Sequence, residues 1–474
     1  MNILENFRHW VIVGGQWGDE AKGKITDLLA PFFDYVVRYA GGSNAGHTTH
    51  VPEGKIVGHL IPSGLAQGKT CVVGRGVFFD FDAFLKEFSD VEKILGKNLP
   101  SIWIDEACTV RTPWHSYLET WFEKTRGSRW GNTTQKAISP MASIRAARLD
   151  IKIADLLGDK HSLMVKLGIL QEVFKPIFET MRQSGVIVNI ASPDEVGSYL
   201  IGQAEQIRKK VRDTRRLLLA ASKQGQRILF EGAQAALLDA NWGTWPYTSS
   251  PSSTAGGVFA ETGLPPGPLG VGMVVKILPT RVGAGPMPTE IWDRVEAEQF
   301  SKQRPELFEQ GPSRDNFLSQ YLANINAQTA TEAEISQYFQ VLGDERGSTT
   351  GRGRSVGYID IPAIQYAAEI NGPQFLALTK LDMLSGLNSI KVAVAYRYQG
   401  QILEAGALPP ANHLHEVRSI YEEWPCWQED IRDCRNFVDL PPKAQNLVVK
   451  FEELIKVPIR LISVKPTREA VIVR

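Results

Sequence analysis

The fold this sequence predicts is α/β: a single large domain with a central, mostly parallel β-sheet flanked by helices and a P-loop-like nucleotide site. Two observations predict it. Short β-branched runs alternate with longer helical patterns, the rhythm of strands buried on both faces by helices. A glycine-bearing turn also follows the first run and leads straight into a helical pattern, the arrangement that aims backbone N–H groups at a phosphate. The runs are WVIV (10–13), YVVRY (35–39), CVVG (71–74), VIVNIA (186–191), RILF (227–230), GMVVKIL (272–278) and FLALT (375–379), with Leu200–Lys223 the clearest helical stretch. No repeat and no long flexible linker divides residues 1–474, so one domain is expected. Residues 291–346 differ, being polar and helix-compatible without strand signals. We expect a helical insertion at about 296–343, a surface excursion that could be trimmed without loss of folding.

Composition narrows the function. The chain has 474 residues, 52 Lys+Arg against 52 Asp+Glu, 43% apolar and 22% charged residues. That is a globular balance, with no disorder or membrane signature. A formal charge of zero offers polyanions no general attraction, so nucleic acid is not an expected partner. No stretch suits a secretory signal or a spanning helix, and membrane is not expected either. Cys71, Cys108, Cys426 and Cys434 lack C-x-x-C spacing, which reads as reduced thiols and a cytoplasmic location.

Several motifs can carry chemistry. Gly18–Lys24 fits G-x-x-x-x-G-K, but Ile25 stands where such loops place the hydroxyl that holds Mg²⁺, so either the match is accidental or another group, obviously Asp19 inside the loop, takes the metal. GGSNAGH sets Asn44 and His47 in a second glycine-rich turn. Lys380-x-Asp382 follows an apolar run with the spacing that reads guanine, and FEGAQ (230–234) and TTGRGR (349–354) complete the set. The last offers two arginines for carboxylates.

QWGDEAKGK, GGSNAGHT, HLIPSG, FEGAQ, STAGG, TRVGAGP, STTGRGR and TKLD occur in the order and approximate spacing of the adenylosuccinate synthetase family, which the chain resembles from Val11 to SVKPTR. The resemblance implies a ligase that uses GTP and Mg²⁺ to join L-aspartate to C6 of IMP, as a homodimer. It also implies roles. Asp19 matches the base and, with Gly46, the metal contacts. His47 matches the acid, Gln234 the group steadying the 6-oxyanion, and Lys22 the phosphoryl clamp. Asn44, Thr134, Ser249, Val282, Arg352 and, from the partner subunit, Arg148 match the IMP contacts. Thr349, Thr350, Arg352 and Arg354 match the aspartate loop. The GTP contacts match Gly18, Glu20, Ala21, Lys22, Gly23, Lys24, Lys380, Asp382, Ser463 and Lys465.

The sequence departs from the family pattern at Ala21 and Lys465, where the family has glycine, and at Gly353, which replaces an arginine. GNTTQKAISP aligns around Thr134 only with a one-residue shift. Two other readings compete: a paralogue acting on GMP or dGMP, and a nucleotide-binding regulator without catalysis. Retention of Asp19 favours IMP over the first, and retention of Asp19, His47 and Gln234 favours an enzyme over the second.

Overall fold

Strand order explains why the motifs can meet. The computed structural model describes residues 2–127, 133–186, 189–347 and 351–474. Eleven strands form one sheet: β1 (Trp10–Gly14), β2 (Tyr35–Gly42), β3 (Thr70–Phe79), β4 (Ile102–Asp105), β5 (Thr109–Val110), β6 (Val211–Arg212), β7 (Ile228–Glu231), β8 (Gly270–Lys276), β9 (Phe375–Thr379), β10 (Ile459–Ser463) and β11 (Val471–Val473). They lie in the order β11-β10-β9-β8-β1-β7-β2-β3-β4-β6, with β5 beside β3. Every pairing is parallel except β10 with β11. The chain builds outward from β2 to one edge, returns β7 between β1 and β2, and then builds β8 to β11 on the other side. Around β1 and β7 the order reverses, and the crevice beyond the carboxyl ends of such strands is where α/β sheets bind ligands.

The sheet is buried on both faces, which is why its strands read as continuous apolar runs. Val11 and Val13 of β1 join Met273, Val275, Leu376 and Leu378 in one core, while Ile12 joins Val36, Val274 and Ala377 in the other. Helices Phe81–Leu95 and Lys160–Gln183 cover the second face. Ile361–Asn371 and Pro442–Ile455 cover the first, together with a small sheet built on Ser389–Tyr398.

Two expectations need correction. VIVNIA makes no strand in its described residues, 187 and 188 lying outside them; Ser192 instead caps a helix that starts at Pro193. Leu200–Lys223 is not one helix either. The helix Pro193–Ile207 ends, Val211–Arg212 forms β6, and Asp213 caps a new helix, Thr214–Lys223, by accepting from Arg216 N. A short edge strand flanked by good helix formers left no break in the pattern.

The segment read as an insertion is helical, with helices Arg294–Gln303, Pro312–Asn326 and Glu332–Leu342. It is more than a surface excursion. Phe300, Leu307, Phe308, Phe317 and Val341 make a core of their own, but Tyr338 and Phe339 enter the main one, Phe339 at 0% exposure. The polar average of the segment hid the i, i+3, i+4 stripe Ile335, Tyr338, Phe339. Phe339→Ala is therefore expected to cost about 3–5 kcal/mol of stability, the range for an aromatic deleted from a packed core. Urea unfolding checks it, and a loss below about 1 kcal/mol would restore the peripheral reading.

Candidate active site

The turn after β1 is shaped by one internal carboxylate. Glu20 is fully buried and accepts from Gly18 N at 2.8 Å, from Gln16 N at 3.3 Å and from Lys22 Nζ at 2.7 Å. Its side chain thus holds the loop together rather than reaching the cavity, and Lys22 is paired with it. Gly18, Asp19 and Ala21 all take positive φ, 98°, 66° and 68°. For Ala21 this is the left-handed conformation that disfavours a Cβ by roughly 1–2 kcal/mol, so the alanine sits where the family's glycine would be unstrained. Ala21 precedes the helix Lys22–Leu29, whose start lies against His47; a Cβ on Gly23 would fall 2.8 Å from His47 Cβ.

His47 begins the strand after the second glycine-rich turn and is buried. Its Nδ1 faces Glu231 Oε1 at the end of β7. Glu231 also accepts from Ser63 N at 2.8 Å and Ser63 Oγ at 2.7 Å, and lies 3.4 Å from Arg38 Nη2. Such a carboxylate favours the Nδ1–H tautomer, and the Arg38 guanidinium lies 3.4 Å from Nε2 and 3.0 Å from Nδ1. Burial, then Arg38, push the His47 pKa down to about 4, with Glu231 opposing. Burial works against ionising Glu231, but Arg38 and His47 outweigh it and hold its pKa at about 2.

One cavity is lined by Gly18, Asp19, Ala21, Lys22, Gly23, Asn44, Gly46, His47, Thr134, Gln234, Val282, Arg354 and Lys380. These residues were singled out in the sequence across more than 350 positions, and strand ends bring them together. Asp19 is ion-paired with Arg354, whose guanidinium is largely buried. Gln234 Nε2 donates to Asn44 Oδ1 at 3.2 Å. A neighbouring cavity shares Asn44, Thr134, Gln234 and Val282 and adds Ser249 and Tyr247, so the residues expected to contact IMP border two adjoining cavities.

Other predicted residues lie elsewhere. Arg148 is exposed, outside the lining of either cavity. Arg352 is 3.5 Å from Glu298 and also outside them. Thr349 and Thr350 fall outside the described residues. Lys24 is buried, with Nζ donating to Ser463 Oγ at 2.6 Å and to the Lys465 carbonyl at 2.5 Å; burial lowers its pKa to about 8. It ties the end of β10 to the phosphate turn. The Lys465 side chain points away, its Nζ 3.9 Å from Asp433 at the surface. Asp382 follows β9, and burial raises its pKa to about 6 against the pull of Lys380 and Lys24.

Sequence reading assigned no role to Arg38, Glu231, Lys276 or Glu345. Lys276 ends β8 at 0% exposure, donating to Thr280 Oγ1 at 2.6 Å and Glu345 Oε2 at 2.9 Å; Glu345 Oε1 accepts from Lys380 at 2.5 Å. Burial lowers the Lys276 pKa to about 8, and the two lysines outweigh burial in lowering that of Glu345. A signal existed: Arg38, Glu231 and Lys276 are lone charges in apolar runs, which must be paired where the strand ends.

Comparison with known proteins bears on this geometry. The family model for adenylosuccinate synthetase matches residues 11–472. The chain belongs to the adenylosuccinate synthetase family. Curated adenylosuccinate synthetases from Carboxydothermus hydrogenoformans (38% identical over 467 residues) and Geobacter sp. strain M21 (36% over 468) each align with 98% of this chain, over 98% and 97% of their own lengths. The fully ligated adenylosuccinate synthetase of Plasmodium falciparum superposes with a TM-score of 0.80 at 29% identity, covering 99% of this chain and 100% of that one. A cyanophage S-2L succinoaminodeoxyadenylate synthetase bound to dGMP and dATP shares the fold at TM-score 0.56 and 14% identity, over 98% of this chain and 95% of that one. This member of the adenylosuccinate synthetase family is a GTP-dependent ligase of L-aspartate and IMP. Among the described residues no helix is long and apolar enough to cross a membrane.

Proposed function

We propose that the ligation runs through a 6-phosphoryl intermediate, with Asp19 taking the N1 proton of IMP, His47 serving the β–γ bridging oxygen of GTP, and Gln234 steadying the 6-oxyanion. The 6-oxo group is a poor leaving group, so phosphorylation must precede displacement by the aspartate amine. The observation that carries this reading is the convergence of Asp19, Lys22, His47, Gln234 and Arg354 on one cavity at the carboxyl edge of a parallel sheet.

Asn44, Thr134, Ser249 and Val282 contact IMP, and Arg354 with Arg352, Thr349 and Thr350 takes aspartate. Lys22 leaves Glu20 to meet the γ-phosphoryl. Asp382 accepts from guanine beside Lys380, with Ser463 and the Lys465 backbone closing the far side. The exposed Arg148 serves IMP in the partner of a homodimer. A hard cation fits this lining: Asp19 and the Gly46 carbonyl are both oxygen donors, and Mg²⁺ commonly takes one or two protein oxygens plus phosphates. Bound there, Mg²⁺ would supply charge neutralisation at the phosphates. Four unpaired cysteines suit a reducing cytoplasm.

A phosphate-release assay with GTP, aspartate and IMP, dIMP, GMP or dGMP tests the substrate. IMP is expected to give the highest kcat/KM, and a higher value for GMP or dGMP would overturn the reading. In the same assay Asp382→Asn should shift the donor preference from GTP toward XTP by about 10²-fold or more, because the amide donates to the 2-oxo group that a carboxylate repels. Unchanged donor preference would remove Asp382 from the base site.

A further inference from the structure

Residues 351–354 are held in place from outside the loop. Gly353 N donates to Ser301 Oγ at 3.0 Å, on helix Arg294–Gln303. Gln340, at 0% exposure on helix Glu332–Leu342, donates through Nε2 to the Arg354 carbonyl at 3.2 Å and the Ala297 carbonyl at 3.1 Å, so one amide bolts both helices to the loop. Arg354 N donates to the Glu345 carbonyl, and Glu345 N to that of Gln340, each at 2.9 Å. Position 353 has no room for a side chain. A Cβ there would lie 2.4 Å from Ser301 Oγ and 2.6 Å from Gln340 Nε2. An arginine at 353 would therefore require Ser301 and Gln340 to shift.

We infer that the helical segment is a frame that positions the aspartate loop: Ser301 and Gln340 fix the backbone of Gly353 and Arg354 so that the Arg354 guanidinium is presented to the cavity, and thereby set the affinity for aspartate. This rests on the reading of residues 351–354 as the aspartate loop. Arg354 is largely buried and lines the cavity, so its side chain has little freedom once its backbone is fixed. Ordering a binding loop before the ligand arrives removes that cost from binding. Among the described residues, none of the side-chain hydrogen bonds of Ser301 or Gln340 goes to a residue assigned to IMP or GTP.

The test is a set of three KM values on the full-length protein. Gln340→Met keeps the side chain's length and removes its donors, leaving the Arg354 carbonyl without its partner. It should raise KM for aspartate about tenfold or more while KM for IMP and for GTP stay within about twofold. Ser301→Ala, a milder change, should raise the aspartate KM by about threefold or more and carries the test if Gln340→Met does not fold. An unchanged aspartate KM in a folded variant, or three KM values rising together, would overturn the inference. Arg354→Leu separates the failures. If it raises aspartate KM while the frame variants do not, the frame falls and the loop assignment stands; if it raises KM for GTP instead, the loop assignment falls.

Discussion

Asp19→Asn is expected to lower kcat by at least about 10²-fold, and by as much as ~10⁴-fold, with far smaller changes in KM for IMP and GTP. Asp19 sits in a turn where three residues take positive φ, and its carboxylate is held by the ion pair with Arg354. An amide keeps the shape and loses both the proton acceptor and the anionic donor for a cation. It also leaves the Arg354 guanidinium without its carboxylate. Burial lowers the Arg354 pKa to about 10, which still keeps it charged at neutral pH. Single-turnover phosphate release at saturating IMP, GTP and aspartate gives the measurement. More than a tenth of the parent kcat in Asp19→Asn would remove the residue from the chemistry.

What could be read from the sequence follows the physics of each feature. The β1 turn, the 41–47 turn, FEGAQ and TKLD were legible because a strand followed by a glycine-rich or polar turn is a local signal. The parallel sheet then had only to bring their ends to one edge. Strand order carried no such signal, and neither did the return of β7 between β1 and β2 that makes the crevice. Glu20 and Lys24 illustrate a different limit. Their place in a phosphate-loop motif suggested ligand contacts, but a buried carboxylate collects the loop's own N–H groups, and a buried ammonium collects three oxygens from Ser463 to Ala470, between β10 and β11. Such partners lie up to 446 positions away in the chain. Gly353 read as a lost arginine; in three dimensions it is where the helices Arg294–Gln303 and Glu332–Leu342 touch the loop.

The second large effect is expected at His47 and its carboxylate. His47→Asn should reduce kcat by at least about 10²-fold. Glu231→Gln tests how the protein prepares that imidazole. Burial and Arg38 leave His47 neutral in the free protein, with a pKa of about 4, and Glu231 is the group that opposes them. Removing its charge moves the pKa further down, so the protonated form is harder to reach when the triphosphate arrives. Glu231→Gln should therefore lower kcat by about 10-fold or more and shift the high-pH limb of the kcat profile to lower pH. The same shift has a consequence for folding, with a definite sign. Because the folded pKa lies below the unfolded value of about 6.5, the unfolded chain takes up a proton that the folded chain refuses between those values. His47 thus contributes its stability in full above about pH 6.5 and loses it as the pH falls toward 4. His115, buried with a pKa of about 3, acts in the same direction. Urea midpoints measured from pH 7.5 to 5 should fall for the parent, and fall less for His47→Asn. A Glu231→Gln variant with the parent's kcat and pH profile would show that Glu231 braces the fold without tuning His47.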